Sequence, residues 1–183
     1  ITTSVSAQGN EKVFKLGIVT FTSGPGAESF GTPGWNAANR LVQALNAGGQ
    51  LPPPYDKIGF GGLQVEVSVI ADSGGTTKQV QELRNAFERD KFDAIIGYIS
   101  SSNCLAAAPV AEEMKKLRIL FDCGTPRIVE DRNYQYVFRN SSHATMDNVA
   151  IVRYLQKRKI KLETAAGINP DYAYGRDNWK DFI

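Results

Sequence analysis

Ala94-Ile95-Ile96-Gly97-Tyr98-Ile99-Ser100-Ser101-Ser102-Asn103 runs an apolar strand directly into a row of small hydroxyl and amide side chains. An apolar run of this length, bounded by turn residues, suits a strand of a parallel sheet covered on both faces, and the serines that follow suit a helix start. A carboxylate placed at such a strand exit would accept hydrogen bonds from the free N–H groups of the first helical turn and from the hydroxyls of Ser101 or Ser102. The helix dipole would favour its charge. On these ten residues a simple helix cap and a ligand site fit equally well.

Working outward, Val13 to Phe21 alternates as a strand does and ends in the turn-rich Thr22-Ser23-Gly24-Pro25-Gly26. Trp35 to Asn46 then carries Leu41, Val42 and Leu45 on one side of a helix closed by Ala47-Gly48-Gly49. Leu63 to Ile70 sets Leu63, Val65, Val67 and Val69 against Gln64, Glu66 and Ser68, a clear strand alternation. Asp72-Ser73-Gly74-Gly75-Thr76-Thr77 opens a helix with Val80, Leu83 and Phe87 at helical spacing. After the strand from Phe92 to Ile99, a helix from Asn103 to Lys116 turns Leu105, Ala108, Ala111 and Met114 inward and must accommodate Pro109. Arg118 to Phe121 and Tyr136 to Asn140 read as further strands, with a helix from Ser141 and Ser142 to Lys157 after the second. A strand over Glu163 to Ile168 and a short amphipathic helix from Gly175 to Ile183 follow. Strand and helix alternate throughout, so the economical architecture is α/β, a parallel sheet with right-handed crossovers.

Composition narrows the function. The 183 residues suffice for one well-buried domain or for one domain and part of another, and 42% hydrophobic with 22% charged residues is ordinary for a globular protein. No apolar run approaches the roughly 18 residues needed to span a bilayer. The charge of +2 comes from 21 basic and 19 acidic residues that are largely interspersed. The basic cluster Lys157-Arg158-Lys159 complements the end of a helix, so nothing calls for nucleic acid.

The residues that could carry chemistry are few. The single histidine, His143, stands in the first turn of a predicted helix, where a surface imidazole is expected, and has no carboxylate or cysteine at metal-ligand spacing. A triad of Ser101, His143 and an aspartate lacks the G-x-S-x-G elbow of a hydrolase. The loop Ser23 to Gly31 follows a strand as a dinucleotide loop would, yet it fits neither phosphate-binding glycine pattern, and Glu28 would oppose a phosphate. The reading therefore calls for no cofactor, no metal and no enzyme activity, and favours binding. Cys104 and Cys123 lie at the ends of strands expected to be neighbours, and both a disulfide and buried thiols are compatible with that.

In order and spacing, Gly17-Ile18-Val19 to Ser23-Gly24-Pro25, Asn46-Ala47-Gly48-Gly49, Asp72, Ile95-Ile96-Gly97 to Ser102, Gly124-Thr125-Pro126, Val137-Phe138-Arg139 and Asp171-Tyr172-Ala173-Tyr174-Gly175 carry a resemblance. The chain resembles the periplasmic substrate-binding proteins of ABC (ATP-binding-cassette) importers, the leucine/isoleucine/valine-binding group of type 1 periplasmic binding proteins. The resemblance implies a two-lobe fold of three-layer αβα sheets, incomplete here, that closes on its ligand through a hinge. Residues 1–11 would be a signal-peptide remnant or a disordered terminus, 12–139 lobe one, and 140–183 the start of a truncated lobe two. Val5-Ser6-Ala7 before Gln8 fits a secretory cleavage site, so the chain is expected to be the N-terminal part of a longer exported protein, periplasmic or extracellular.

Carried over residue by residue, the resemblance makes Ser101, with Ser102 beside it, the holder of a ligand carboxylate through hydroxyl and backbone N–H. Thr125 would contact the head group, while Cys123 and Gly124 would line the pocket with backbone groups. Phe30 would cover the ligand, and Tyr174 would pack on it from lobe two. The implied ligand is a small carboxylate, an amino acid or an aromatic acid, and the implied partners are the permease subunits of the importer. The extracellular ligand-binding domain of a sensory receptor is the alternative the same fold allows.

Overall fold

The structure, a computed structural model, describes residues 12–183; the cleavage-site reading at Val5 to Gln8 lies outside them. Five parallel strands form one sheet in the order β2-β1-β3-β4-β5. They are β1 (Phe14–Thr20), β2 (Val65–Ala71), β3 (Ala94–Gly97), β4 (Leu117–Leu120) and β5 (Val137–Arg139). The helices are α1 (Thr32–Ala47), α2 (Gly75–Glu88), α3 (Ser101–Glu113), the single turn α4 (Arg127–Glu130), α5 (Ala144–Lys157) and α6 (Ala173–Phe182). Register follows the hydrophobic pattern: Leu16 sits beside Val67 on one side and Ala94 on the other, and Ile18 beside Val69 and Ile96. One face of the sheet packs Leu16, Ile18, Val65 and Ala94 against Val42, Trp35 and Ala38 of α1. The opposite face packs Val19, Ile95 and Leu120 against Leu83, Ala86 and Phe87 of α2 and Ala107, Ala108 and Ala111 of α3. The layers are therefore αβα.

Several boundaries depart from expectation for identifiable reasons. α1 begins three residues before Trp35, because Pro33 lies in its first turn, where the fixed φ and missing N–H are harmless. A π-helical turn, Ala27–Gly31, leads into it. Leu41 is half exposed rather than inward, whereas Val42 and Leu45 are buried. On α3 the buried apolar side chains are Cys104, Ala107, Ala108, Val110 and Ala111, while Leu105, and Met114 just past its end, lie only partly buried at the margin of the core. The small residues let α3 approach α2 and the sheet closely. His143 stands at the N-cap position of α5 with an extended backbone and no side-chain cap bond, and it is half-buried, not a surface residue of the first turn. The expected strand at Glu163 to Ile168 does not form; these residues are exposed and irregular. A strand is defined by a neighbour that takes its hydrogen bonds, and among the described residues none lies beside this segment.

β1 and β3 are the point at which the strand order reverses, and the chain is tightest there. Gly97 has φ +139°, and a Cβ built on it would lie 2.1 Å from the Val19 carbonyl oxygen. Tyr98 follows with φ +68°, in the left-handed region that a side chain with a Cβ disfavours by roughly 1–2 kcal/mol. Its N–H donates to the Val19 carbonyl, and its buried ring anchors the turn. This kink throws Ile99 to Ser102 across the carboxyl ends of the strands.

Candidate functional site

A cleft of about 730 Å³ opens over those strand ends. Every strand exit contributes to it. Phe21, Gly26 and Phe30 follow β1; Asp72 to Thr76 follow β2; Ile99 to Asn103 follow β3; Asp122 and Gly124 follow β4. Ser142 follows β5, and with Asp147 of the first turn of α5, and Tyr172 and Tyr174 before and within α6, it closes the cleft from the other side. In a doubly wound sheet this crevice, at the reversal of strand order, is where ligands bind.

Asp72 organises the floor. Its buried carboxylate accepts hydrogen bonds from the Ile99 N–H (3.1 Å), the Ser100 N–H (3.4 Å) and the Asn103 side-chain amide (2.6 Å). The loop between β3 and α3 is thus held from β2, with the first turn of α3 facing the cleft. Ser100 makes no side-chain cap bond. The N–H groups of Ser101, Ser102 and Asn103 have no acceptor within a helix, so they are available to an anion.

Of the seven residues singled out from sequence, Phe30, Ser101, Ser102, Gly124 and Tyr174 come together on the cleft. Phe30 is half exposed at the rim. Gly124 faces Tyr174 so closely that a Cβ on it would lie 2.5 Å from the ring. Ser101 is buried, and its hydroxyl accepts the Thr125 N–H at 3.2 Å while keeping its own proton to donate. The side chains of the remaining two do not line the cleft. Cys123 is fully buried, and its sulfur joins Cys104 in a disulfide with Cα atoms 6.3 Å apart, which resolves the open pairing. Thr125 is fully buried too; its hydroxyl donates to Asp177 of α6 and accepts the Arg127 N–H. Both residues stand behind the cleft wall. The Arg139 guanidinium binds the Cys123 and Thr125 carbonyls at 3.4 and 2.7 Å, securing the same segment.

Sequence reasoning did not assign roles to Asp72, Phe21, Asp122, Asp147 or Tyr172. Asp72 carried a signal, a carboxylate directly after a clear strand; the others became visible only once the loops met. Tyr172 and Tyr174 rings lie 6.2 Å apart. Burial, with the neighbouring Tyr174 and Asp122, pushes the Tyr172 phenol up, so it stays neutral. Partial burial pushes the Asp122 carboxyl up as well. Asn148 of α5 donates to the Asn178 backbone and side-chain oxygens and to Asp181, tying α5 to α6. Among the described residues no cluster of His, Cys, Asp and Glu could hold a metal, and no helix is long and apolar enough to cross a membrane.

The family model described as periplasmic binding protein matches residues 13–183. The chain belongs to the periplasmic binding protein family. Among members of the family, the leucine-specific-binding protein of Salmonella typhimurium is 26% identical over 161 residues, 88% of this chain and 40% of the relative. The chain therefore spans about 40% of the length of the curated relatives it matches. A leucine-, isoleucine-, valine-, threonine- and alanine-binding protein from Brucella ovis, in its closed conformation, superposes with a TM-score of 0.76 at 20% identity, over 93% of this chain and 43% of that one. A solute-binding protein of an ABC transporter from Rhodopseudomonas palustris, solved with 3,4-dihydroxybenzoic acid, superposes with a TM-score of 0.71 at 24% identity, over 93% and 42%. The family's parallel αβα fold is the one observed here.

Proposed function

We propose that this chain is the ligand-binding part of an exported solute-binding protein that delivers a small carboxylate, an amino acid or an aromatic acid, to the permease of an ABC importer. The observation that carries the reading is the first turn of α3, presented by Asp72 with unclaimed N–H groups and the Ser101 hydroxyl, on a cleft walled by Phe21, Phe30, Tyr172 and Tyr174. The carboxylate binds at Ser101 and Ser102, and its apolar remainder packs among the rings. The relatives' ligands, leucine and dihydroxybenzoic acid by their names, share that combination. Residues 12–139 form lobe one; α5 and α6 begin lobe two, which closes on the ligand. The protein works by capture, without turnover.

Magnitudes support the reading. Hydrogen bonds to a charged group contribute about 1.5–3 kcal/mol each, and burying one aliphatic or aromatic side chain adds about 1.5–3 kcal/mol. Two or three such bonds and one apolar tail reach about micromolar affinity after the cost of association. The test is a thermal-shift screen of the full-length protein against branched-chain amino acids, aromatic acids and other small carboxylates, followed by titration of each hit. Ser101→Ala is expected to weaken binding by more than about tenfold with the unfolding midpoint retained. Unchanged affinity would remove Ser101 from the site, and consumption of a compound would replace capture with catalysis.

A further inference from the structure

Three carboxylates line the cleft, those of Asp72, Asp122 and Asp147, and among the described residues no lysine, arginine or histidine does. Two of the three have their charge answered. Asp72 accepts the three hydrogen bonds described above. Asp147 is exposed and stands in the first turn of α5, where solvent and the N–H groups of the helix start meet its charge. Asp122 differs: it is half-buried beside Tyr172, and among the described residues neither a hydrogen bond nor an ion pair reaches its carboxylate. Its position is fixed by its own N–H, which donates to the Tyr98 carbonyl, and by the disulfide at the next residue.

A ligand whose only polar group is a carboxylate gains the α3 donors but brings a further negative charge to a cleft in which, among the described residues, Asp122 has no partner. A half-desolvated carboxylate left unpaired is costly, and a ligand group that donates to it removes that cost. We infer that Asp122 is a specificity-determining residue, selecting ligands that carry a hydrogen-bond donor, ammonium or hydroxyl, in addition to the carboxylate, and discriminating against plain anions. This rests on the reading of the cleft as a small-carboxylate site. The donor is placed at Asp122, on the exit of β4, and the carboxylate at Ser101, on the exit of β3, which is the neighbouring strand.

The experiment titrates the full-length protein with two pairs that differ only in the donor: leucine against 4-methylpentanoate, and 4-hydroxybenzoate against benzoate. The expected result is that in one pair the donor-bearing member binds at least about tenfold tighter, and that Asp122→Asn removes most of that ratio while leaving the donor-free member bound as well or better. The leucine pair responding names an ammonium, the benzoate pair a hydroxyl. Asp122→Ser is the second variant, and both are checked for an unchanged thermal midpoint without ligand. Equal binding within each pair by the unaltered protein, or a ratio that both variants preserve, overturns the role of Asp122 and leaves the carboxylate site standing. Binding of none of the four compounds overturns the small-carboxylate reading and this inference with it.

Discussion

Arg118 is the largest fully buried side chain in the structure, lying on β4 beneath α3 with its guanidinium carbon 3.9 Å from the centre of the Tyr98 ring. Among the described residues none of its three nitrogens makes a well-formed hydrogen bond, so Tyr98, through its ring face and nearby phenol, is its main electrostatic compensation. Burial, only partly offset by Tyr98 and Asp72, pulls this guanidinium well below the usual arginine range, to about 10. The charged form is therefore disfavoured in the fold: the penalty is complete below pH 10 and is relieved as pH rises past it toward the unfolded value. Arg118→Met is expected to leave stability at pH 7 unchanged or to raise it by about 1–4 kcal/mol, read from denaturant midpoints, with the gain shrinking above pH 10. A loss of stability would show that the stacking on Tyr98 outweighs the desolvated charge. Nothing in the sequence marked this residue, since an arginine opening a short strand reads as an edge charge until α3 covers it. Ser101 and Ser102, in contrast, stood out in the sequence as small polar residues at a strand exit, a pattern that suits a helix cap as well as a ligand, and the structure sets them with Gly124 on the cleft. The side chains of Cys123 and Thr125 stand behind the cleft wall because one residue along a loop decides which way a side chain faces.

Between elements, the Cys104–Cys123 disulfide joins the first turn of α3 to the exit of β4, the two segments that also meet through Ser101 and Thr125. It closes a loop with a sequence separation of 19, for which the chain-entropy account gives about 3 kcal/mol. Replacing both cysteines with alanine is expected to lower the unfolding free energy by about 2–4 kcal/mol and to weaken ligand binding, because the site loops lose a mutual restraint. Denaturant unfolding with parallel titration checks both, and full affinity in the double variant would make the bond a matter of stability alone. At this scale the sequence was most readable: all five strands of the sheet were expected within a few residues, because alternation and apolar runs report on the faces a strand buries. The failure at Glu163 to Ile168 has the same origin. Propensity describes a segment, whereas a strand also needs a partner, and here the segment stands in solvent.

Across the whole molecule, a part-buried contact joins the loop after β4 to the last helix: the Thr125 hydroxyl donates to Asp177, whose carboxylate also lies 3.7 Å from the Arg127 guanidinium. α6 is thereby seated with Tyr174 against Gly124 at the mouth of the cleft. If α5 and α6 belong to a lobe that closes on the ligand, this contact exists only when the lobes are together, and its removal costs closure alone. Asp177→Ala in the full-length protein is expected to weaken ligand affinity about tenfold and to enlarge the radius of gyration of the liganded form in small-angle scattering, with the unliganded form unaltered. An unaltered affinity would detach the contact from closure. The cleft has a further property that concerns inheritance. Each of its walls is delivered by a different loop, and those loops are rooted in a sheet whose register depends on other residues. If the cleft binds as proposed, a substitution at Phe30, Asp122 or Tyr172 would alter what is captured without asking the scaffold to refold, and a lineage with this architecture could change its diet one loop at a time.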